Sequence, residues 1–345
     1  MKFAAVLLNL GAPDRLDAVE PFLANLFSDP AIIRLPWPVR PLLARVIANR
    51  RGPKARAIYA AIGGGSPLRA ETEAQANALE QALAGERDQW RVFVAMRYWH
   101  PMSDETARAV ATYDPDRIVL IPLYPQFSTT TTASSFAAWT KAAEGCGLKA
   151  PTQRVCCYPT DAAWVAAQAE ATRAAMVGLE GPHRILFSAH GLPERVVVAG
   201  DPYQWQIEQT AAAVAARLPA ERRDWVVCYQ SKVGPLRWIG PSTESEIARA
   251  GRERVPVVIV PISFVSEHSE TLVELDITYR ALAEKAGVPA YRRARAVGTA
   301  PDFIGALRGL VVRIAASNAA TVAGAGSRLC PGSLAGCELT LRNRN

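Results

Sequence analysis

The sequence predicts an α/β protein with two similar domains, each built on a parallel sheet, and three observations carry this prediction. Six apolar, β-branched runs lie along the chain, and their apolar residues are near-continuous, as in strands covered on both faces. Ala-rich stretches with helical spacing of apolar residues separate the runs. The runs fall into two sets of three, so strand and helix alternate as βαβ units in each half of the chain.

The first three predicted strands lie in the N-terminal half. They read "AAVLLNLG" (4–11), "WRVFVAMRY" (90–98) and "RIVLIPLYP" (117–125). The stretch "AETEAQANALEQALAG" (70–85) between the first two has the apolar spacing of an amphipathic helix. This order predicts a first βαβ unit.

The other three predicted strands lie in the C-terminal half. They read "RILFSAHG" (184–191), "DWVVCYQS" (224–231) and "VPVVIVPIS" (255–263), with the helical stretch "WQIEQTAAAVAARLPAERR" (205–223) between the first two. The halves also resemble each other. "VLIPLYPQFS" (119–128) and "VIVPISFVSE" (258–267) both close a strand with proline and continue with an aromatic residue and a serine.

Helical sequence at about 161–180 separates the two sets of strands. We therefore predict an N-terminal α/β domain over 1–160 and a C-terminal α/β domain over 161–315. From residue 316 the chain becomes rich in Gly, Ala and Ser, which predicts a C-terminal extension over 316–345.

Composition indicates a cytoplasmic protein. No apolar stretch among the 345 residues approaches the ~18 residues that a membrane-spanning helix needs. The N-terminal run is interrupted by Asn9 and lacks a small-x-small cleavage site, which favours a buried strand over a signal peptide. The six cysteines then indicate reduced thiols or metal ligands rather than a disulfide framework.

The net charge of +7 does not indicate a nucleic-acid partner, because the arginines are dispersed. Basic residues are densest in "VRPLLARVIANRRGPKARAIY" (39–59), where they alternate with apolar side chains. Such a segment suits a solvated helix face, a lip that touches anionic lipid, or a clamp for acidic substrate groups.

His190 is the first candidate for chemistry. It follows an apolar strand directly, and Gly191 leaves one side of it open. Ligands of open parallel sheets bind beyond the carboxyl ends of the strands, which is where His190 stands. A second histidine, His268, follows another predicted strand. A lone histidine is usually structural, but two at strand ends favour a functional site.

An acidic line accompanies the second histidine. If a helix begins near Ser266, then Glu267, Glu270 and Glu274 fall at i, i+3 and i+7 on one face. Three like charges on one face repel unless a cation or a proton relieves them. The alternative is an ordinary solvated helix face, with the first carboxylates stabilised by the helix dipole.

The remaining strand ends favour a flat ligand. The sequence contains neither G-x-G-x-x-G nor a Walker loop, and "IGGGSPL" (62–68) lacks the lysine of a phosphate cradle. Five aromatic residues stand near strand ends or in the loops beyond them: Tyr98, Trp99, Phe127, Trp238 and Phe264. Together with the histidines and glutamates they suit an apolar planar substrate that must lose protons or meet a metal ion.

Six segments resemble, in order and spacing, the signature segments of ferrochelatases. They are "LLNLGAPD" (7–14), "IGGGSPL" (62–68), "AMRYWHP" (95–101), "SAHGLP" (188–193), "CYQSKVGPLRWIGPST" (228–243) and "VPISFVSEHSETLVELDITY" (260–279). The resemblance extends from about residue 3 to residue 310. It implies two similar Rossmann-like chelatase domains with a porphyrin between them, and the insertion of Fe²⁺ into that porphyrin, normally protoporphyrin IX, to form haem.

The resemblance also implies functions for individual residues. It makes His190 and Glu270 catalytic, with His190 accepting protons from the pyrrole nitrogens, either alone or sharing the task with Glu270. The residues for metal or proton passage are His190, Glu270, His268 and Glu274, with Asp276 continuing the acidic segment. The substrate-binding residues are Arg97, Tyr98, Trp238, Phe264, Ser231 and Lys232. A further family acid is replaced by Thr278. Arg34, Arg50 and Arg51 are candidates, from position alone, for pairing with porphyrin propionates.

Some ferrochelatases carry a [2Fe–2S] cluster held partly by cysteines of a C-terminal tail, and four thiolates are required. Here the tail offers Cys330 and Cys337. The other ligands would come from the adjacent pair Cys156 and Cys157, or from Cys146. Free reduced thiols are the alternative.

Two other functions stay open at this point. One is a chelatase for another metal or another tetrapyrrole, and the other is a tetrapyrrole-binding module without turnover. His190 and Glu270 argue against the second, because binding alone needs no base. The expected partners are a porphyrin and, through the basic and apolar segment at 32–55, the inner face of a membrane, with the protein otherwise cytoplasmic.

Overall fold

The computed structural model describes residues 1–219, 224–324 and 326–341. The chain forms two compact units. Unit 1 comprises Met1–Cys157 and Leu307–Ala323, and unit 2 comprises Tyr158–Ala306 and Gly324–Asn345. Each unit contains one parallel sheet flanked by helices, so the α/β fold class with two parallel sheets is confirmed.

Unit 1 is built on five parallel strands in the order β2-β1-β3-β4-β9. The strands are β1 (Lys2–Asn9), β2 (Gln89–Met96), β3 (Arg117–Pro122), β4 (Thr152–Val155) and β9 (Thr321–Val322). In register, β1 runs beside β2 from the pair Lys2 and Gln89 to the pair Asn9 and Met96. The central strands β1 and β3 are almost wholly buried, as their near-continuous apolar sequences predict.

Five helices accompany this sheet. They are α1 (Val19–Phe27), α2 (Val39–Ala60), α3 (Leu68–Leu83), α4 (Ser103–Tyr113) and α5 (Thr132–Gly145), with a short 3₁₀ turn at Leu16–Ala18 before α1. Apolar side chains of α4 and α5, such as Val110, Phe136 and Trp139, form one core with those of β1 and β3. Residues of α1 and α2 form a second cluster with Tyr98 and Trp99.

Unit 2 is built on four parallel strands in the order β6-β5-β7-β8. The strands are β5 (Arg184–His190), β6 (Trp225–Gln230), β7 (Val257–Pro261) and β8 (Tyr291–Arg293). The helices are α6 (Ala162–Met176), α7 (Glu194–Val198), α8 (Tyr203–Ala215), α9 (Thr243–Glu253), a π-helix (Glu270–Thr278), α10 (Tyr279–Ala286) and α12 (Glu338–Leu341). The last four residues of the helical stretch predicted at 205–223 lie outside the described residues.

The six predicted strands are all present, as β1, β2, β3, β5, β6 and β7. Three short strands, β4, β8 and β9, were not predicted, because four, three and two residues are too few to show a pattern. No helix in the described part of the chain is long and apolar enough to cross a membrane.

The residues after 315 are divided between the units. Helix α11 (Pro301–Ala315) begins in unit 2 and ends in unit 1. Strand β9 then joins the sheet of unit 1, where Thr321 lies opposite Arg154 of β4. The chain after Ala323 belongs to unit 2, where the Gly336 amide donates to the Gly200 carbonyl at 3.0 Å. The predicted domain limits at 160 and 315 stay predictions, since compactness alone does not establish a domain.

Candidate active site

His190 is the last residue of β5, in the middle of the unit 2 sheet. The hydroxyl of Tyr203, at the start of α8, donates to the His190 carbonyl at 3.0 Å and fixes the backbone there. Gly191 is required by the close packing that follows. An added Cβ would lie 3.0 Å from Cε3 of Trp238 and 3.1 Å from the Gln230 carbonyl oxygen. The strand end therefore holds His190 firmly while its side chain stays 37% exposed.

The imidazole of His190 is paired with Glu270. Its Nδ1 atom lies 3.0 Å from Oε2 of the carboxylate. A carboxylate only accepts, so Nδ1 carries the proton and Nε2 keeps its lone pair in neutral His190. Burial alone would lower the pKa of His190. The Glu270 charge and hydrogen bond, with a smaller contribution from Glu274, outweigh burial and raise that pKa.

Glu270 remains ionised in this arrangement. Burial would raise its pKa, but the charge and hydrogen bond of His190, and then those of His268, outweigh it and lower the pKa far below its ordinary value. Nε2 of His268 lies 3.7 Å from the same oxygen that meets His190. One carboxylate oxygen thus lies between two imidazoles.

His268 is held in place by its own contacts. Its Nδ1 lies 3.1 Å from the Ser266 carbonyl, which makes Nδ1 the donor. Its ring meets Phe264 edge-on, with centroids 4.5 Å apart. Phe264, predicted to bind substrate, therefore also orients one of the two imidazoles.

The acidic segment is a π-helix, and this changes which glutamates share a face. The face of three glutamates depended on a helix that begins near Ser266, and this condition is not met, because the helix begins at Glu270. The wider π-turn brings Glu270 and Glu274, four residues apart, to the same edge. Glu267 lies before the helix, where its carboxylate pairs with Nη1 of Arg293 at 2.9 Å. The predicted three-glutamate face is therefore a two-glutamate face.

Asp276, expected to continue the acidic line, also pairs elsewhere. Its carboxylate lies 2.7 Å from Nη2 of Arg293 and 3.8 Å from Nη2 of Arg280. Arg293, on the edge strand β8, thus neutralises both Glu267 and Asp276. The sequence did not indicate this, because β8 is too short to be recognised.

Glu274 accepts hydrogen bonds from three residues: Ser231, Gln230 and Tyr279. Its Oε1 accepts from the Ser231 amide at 2.9 Å and from the Tyr279 hydroxyl at 2.9 Å. Its Oε2 accepts from the Ser231 hydroxyl at 2.5 Å and from Nε2 of Gln230 at 3.3 Å. Burial, followed by repulsion from Glu270, nevertheless raises the pKa of Glu274. Its accepting capacity is taken up by these donors.

The loop after β6 carries the remaining predicted substrate-binding residues of unit 2. Ser231 has a φ of +64° and places both its amide and its hydroxyl on Glu274. Lys232 follows it and is exposed. The Trp238 ring stands edge-on to His190, with centroids 6.3 Å apart, and its Nε1 donates to the Val233 carbonyl at 3.1 Å. Trp238 therefore forms an aromatic wall beside His190.

Arg97 and Tyr98 lie in unit 1, where they share a buried carboxylate. Oδ2 of Asp29 accepts from Nη2 of Arg97 at 2.7 Å and from the Tyr98 hydroxyl at 2.6 Å. The hydroxyl of Ser134 donates to the same oxygen. Tyr98 is buried, and burial followed by the charge of Asp29 raises the pKa of its hydroxyl. Arg97 keeps 20% of its side chain exposed.

The predicted cluster ligands fall into two pairs. Cys156 and Cys157 follow β4 in unit 1, with sulfur atoms 3.4 Å apart, and both are buried. Cys330 and Cys337 lie in the tail of unit 2 and are buried, and Nε2 of Gln206 donates to the Cys330 sulfur at 3.1 Å. Within the described ranges, no three His, Cys, Asp or Glu side chains are grouped as a metal site requires.

The segment 32–55 presents apolar side chains to solvent, and we call it the lip. Trp37 is 76% exposed and Leu42 is 63% exposed, and Val39 and Val46 are also more than half exposed. Arg34, Arg45, Arg50 and Arg51 are exposed in the same segment. The lip therefore combines apolar and cationic groups.

Four residues of the unit 2 site were not singled out from the sequence: Gln230, Tyr203, Tyr279 and Glu244. Gln230 ends β6, so the rule that strand ends carry function could have found it. Tyr203, Tyr279 and Glu244 lie on helices, and their hydroxyl or carboxylate contacts depend on how those helices pack.

Comparisons with a family model and with individual proteins agree with each other. The family model described as Ferrochelatase matches residues 2–314. The protein named Ferrochelatase from Caulobacter vibrioides (strain NA1000 / CB15N) is 57% identical over 310 residues, covering 89% of this chain and 88% of that protein. The Ferrochelatase of Phenylobacterium zucineum is 52% identical over 341 residues, covering 98% of both chains. That of Hyphomonas neptunium is 50% identical over 344 residues, covering 97% and 94%.

Among solved structures, SirB from Bacillus subtilis with Fe3+ superposes with a TM-score of 0.54 at 13% identity. The alignment covers 92% of this chain and 96% of SirB. At that identity the likeness shows the fold alone.

Proposed function

The chain belongs to the ferrochelatase family, and from this we propose that His190 accepts a pyrrole proton during insertion of Fe²⁺ into protoporphyrin IX. The family assignment makes the chain a porphyrin metal chelatase, a lyase of haem biosynthesis. Both Fe²⁺ and the porphyrin are substrates. What the proposal adds is the part that each residue of this chain takes in the reaction.

The pairing of His190 with Glu270 carries the proposal. Metallation must remove two protons from pyrrole nitrogens, and a base near neutral pKa can accept them at physiological pH. With Nδ1 bound to Glu270, the accepting atom is Nε2, and the side chain that carries it is 37% exposed. Glu270 orients the ring and stabilises the imidazolium that forms.

His268 and Glu274 complete the proposed passage of metal and protons. Beside Glu270 the donor atoms with a lone pair are its carboxylate oxygen and Nε2 of His268, because Nδ1 of His190 carries a proton, and iron(II) accepts such mixed oxygen and nitrogen donors. The carboxylate of Glu274 is already held by Ser231, Gln230 and Tyr279. We therefore assign His190, Glu270 and His268 to contact with the incoming Fe²⁺, and we assign Glu274 to proton transfer.

The aromatic residues are proposed to hold the macrocycle. Trp238 lies beside His190, and Phe264 packs on His268. Each aromatic side chain is therefore next to one of the two imidazoles of the proposed mechanism. A flat, apolar ligand suits such walls. In unit 1, Arg97 is the proposed further substrate contact, since part of its guanidinium side chain remains exposed beyond Asp29.

The substrate assignment has a direct test. Purified protein under anaerobic conditions receives Fe²⁺ with either protoporphyrin IX or a coproporphyrin, and the loss of porphyrin fluorescence is followed. We expect faster metallation of protoporphyrin IX. Faster metallation of the coproporphyrin would overturn the substrate, and porphyrin binding without metallation would overturn the reaction.

The lip supports a proposal on location. A surface that combines exposed Trp37 and Leu42 with several arginines favours the interface of an anionic membrane, where apolar side chains enter and cations meet headgroups. We infer a cytoplasmic protein that touches the inner membrane face through the lip. Contact there would suit a substrate and a product that are both largely apolar.

The cysteines support a proposal on a cofactor. We propose a [2Fe–2S] cluster with Cys330 and Cys337 as two ligands and Cys156 and Cys157 as candidates for the others. Thiolates are the donors that such a cluster takes, but among the described residues these thiols stand as one pair in unit 1 and one pair in unit 2, and no three of them are grouped as a metal site requires. The cluster would add redox-active iron to the protein, and no step of the porphyrin chemistry above depends on it.

A further inference from the structure

One hydroxyl in unit 2 contacts two carboxylates. The Tyr279 oxygen lies 2.9 Å from Oε1 of Glu274 and 3.0 Å from Oε1 of Glu244. Glu274 belongs to the site described above, whereas Glu244 is exposed at the first turn of α9. Tyr279 thus connects a carboxylate of the site to one at the surface.

The hydrogen-bond count requires a shared proton. A tyrosine hydroxyl donates one hydrogen and accepts through its oxygen. Two ionised carboxylates can only accept, so one hydroxyl hydrogen cannot satisfy both. Both contacts are hydrogen bonds only when one of the two carboxyl groups is protonated and donates to the tyrosine oxygen.

Packing and charge keep the Tyr279 side chain neutral and fixed in position. Its side chain is buried and packs with Ile247, Leu275 and Ala283 in the core of the unit. Burial, followed by the charges of Glu274 and Glu244, raises the pKa of the hydroxyl far above its ordinary value. Tyr279 therefore does not ionise, and its hydroxyl passes a proton on only as it receives another.

We propose that Tyr279 and Glu244 form a proton relay that carries protons from Glu274 to solvent. This rests on the proposed function, in which the site takes protons from the porphyrin. Tyr279 and Glu244 act through Glu274 and are therefore relay residues.

The relay balances in atoms and charge. Protonated Glu274 gives its proton to the Tyr279 oxygen while the existing O–H bond of Tyr279 breaks and that proton bonds to Glu244. Glu274 ends as a carboxylate, Tyr279 is neutral before and after, and Glu244 releases the proton to water. Rotation of the hydroxyl then restores the starting arrangement.

The groups around Glu274 favour its loading with a proton from the site. Glu270 and His190 act on Glu274 from the site, and Ser231 and Gln230 donate to it. Burial, followed by repulsion from Glu270, raises the pKa of Glu274 and so makes a proton on it more favourable. Exposed Glu244 exchanges with solvent freely, so protons delivered there are lost quickly.

The test removes each relay group without removing the base. We expect Tyr279→Phe and Glu244→Gln each to lower the steady-state rate by about tenfold or more, less than the roughly 10²–10⁴-fold of direct acid–base catalysis. Porphyrin binding should be unchanged in both. The double variant should be no slower than the worse single variant, Glu244→Asp should keep most of the rate, and an added small carboxylic acid should partly rescue Glu244→Gln.

Matched controls separate the relay from packing. Tyr291→Phe removes a hydroxyl that donates to the Leu275 carbonyl of the same π-helix, and Glu253→Gln removes a carboxylate from the same α9. Both should keep their rates within about twofold, the scatter of ordinary surface and hydrogen-bond changes. Because Glu244 is exposed, Glu244→Gln remains informative even if Tyr279→Phe does not fold.

Normal turnover in Glu244→Gln, or losses that multiply in the double variant, would overturn the relay. His190→Ala distinguishes the two proposals. If it is inactive while the relay variants are normal, only the relay fails. If it turns over normally, the base assignment fails instead.

Discussion

Nδ1 of His190 lies 3.0 Å from Oε2 of Glu270, and the proposed chemistry of the site rests on this contact. It orients a histidine at the end of a central strand, fixes which ring nitrogen is free, and raises the pKa of the imidazole. The same oxygen faces His268 at 3.7 Å. The proposed mechanism depends on Glu270, whose carboxylate lies between two imidazoles. A second carboxylate, that of Glu274, follows four residues later on the same π-helix.

The acid limb of the pH–rate profile should depend on Glu270. His190 accepts a proton only when neutral, so the rate should fall as pH drops through its raised pKa. In Glu270→Gln the raising charge is lost, and the limb should move to lower pH, with a lower maximal rate because the ring is less well oriented. Glu253→Gln is the control and should leave the limb in place. An acid limb that stays at the same pH, or moves to higher pH, in Glu270→Gln would contradict the pairing of His190 with Glu270.

Asp29→Asn should destabilise the protein. The substitution removes a buried charge that accepts from Arg97, Tyr98 and Ser134 on one oxygen. We expect a loss of about 3 kcal/mol in the free energy of unfolding, typical of breaking a buried pair. Urea denaturation measures it. Asp104→Asn, which breaks the exposed pair with Arg108, should cost under about 0.5 kcal/mol, and equal losses in both variants would argue against the buried cluster.

Cys330→Ser should remove visible absorbance and bound iron together. The prediction follows from cluster ligation by the tail, and spectra with iron analysis on anaerobically purified protein check it. Cys228→Ala is the matched control, because burial raises the pKa of that thiol to about 12 and keeps it protonated. Colourless, iron-free protein before any substitution would rule against the cluster.

Trp37→Glu combined with Leu42→Glu should weaken binding to vesicles that contain anionic lipid. Both side chains are exposed on the lip, and a charge there opposes entry into the interface. Co-sedimentation with vesicles measures the change. Val198→Glu, at an apolar side chain of unit 2 that is more exposed than either, should bind as the parent protein does. Unchanged binding of the double variant would refute membrane contact through the lip.

The sequence predicted the elements that have a strong local pattern. Strands such as β1, β3 and β7 are apolar apart from polar residues at the ends of β1 and β3, because both faces of a parallel strand are buried, and all three were recognised. His190 was recognised for a related reason, since it follows such a strand directly. Short edge strands leave no pattern, and β8 was missed along with its Arg293.

What could not be predicted depended on contacts between distant segments. A π-helix has no sequence period that distinguishes it from an α-helix over nine residues, so the sequence did not show that the helix begins at Glu270 and that Glu267 lies before it. At position 278 this chain has threonine where the family has a further acid, which suggested that the acidic path lacks its outer carboxylate. Glu244 lies 35 residues from Tyr279 in sequence, and only the packing of α9 on the π-helix and α10 brings their side chains together.

The central claim is that His190 takes the pyrrole proton, and His190→Ala tests it most directly. The variant is given Fe²⁺ and protoporphyrin IX without oxygen, and haem formation and porphyrin binding are measured on the same sample. We predict that the porphyrin still binds, because Trp238 and Phe264 remain, and that haem formation is abolished. Near-normal haem formation by His190→Ala would contradict the account.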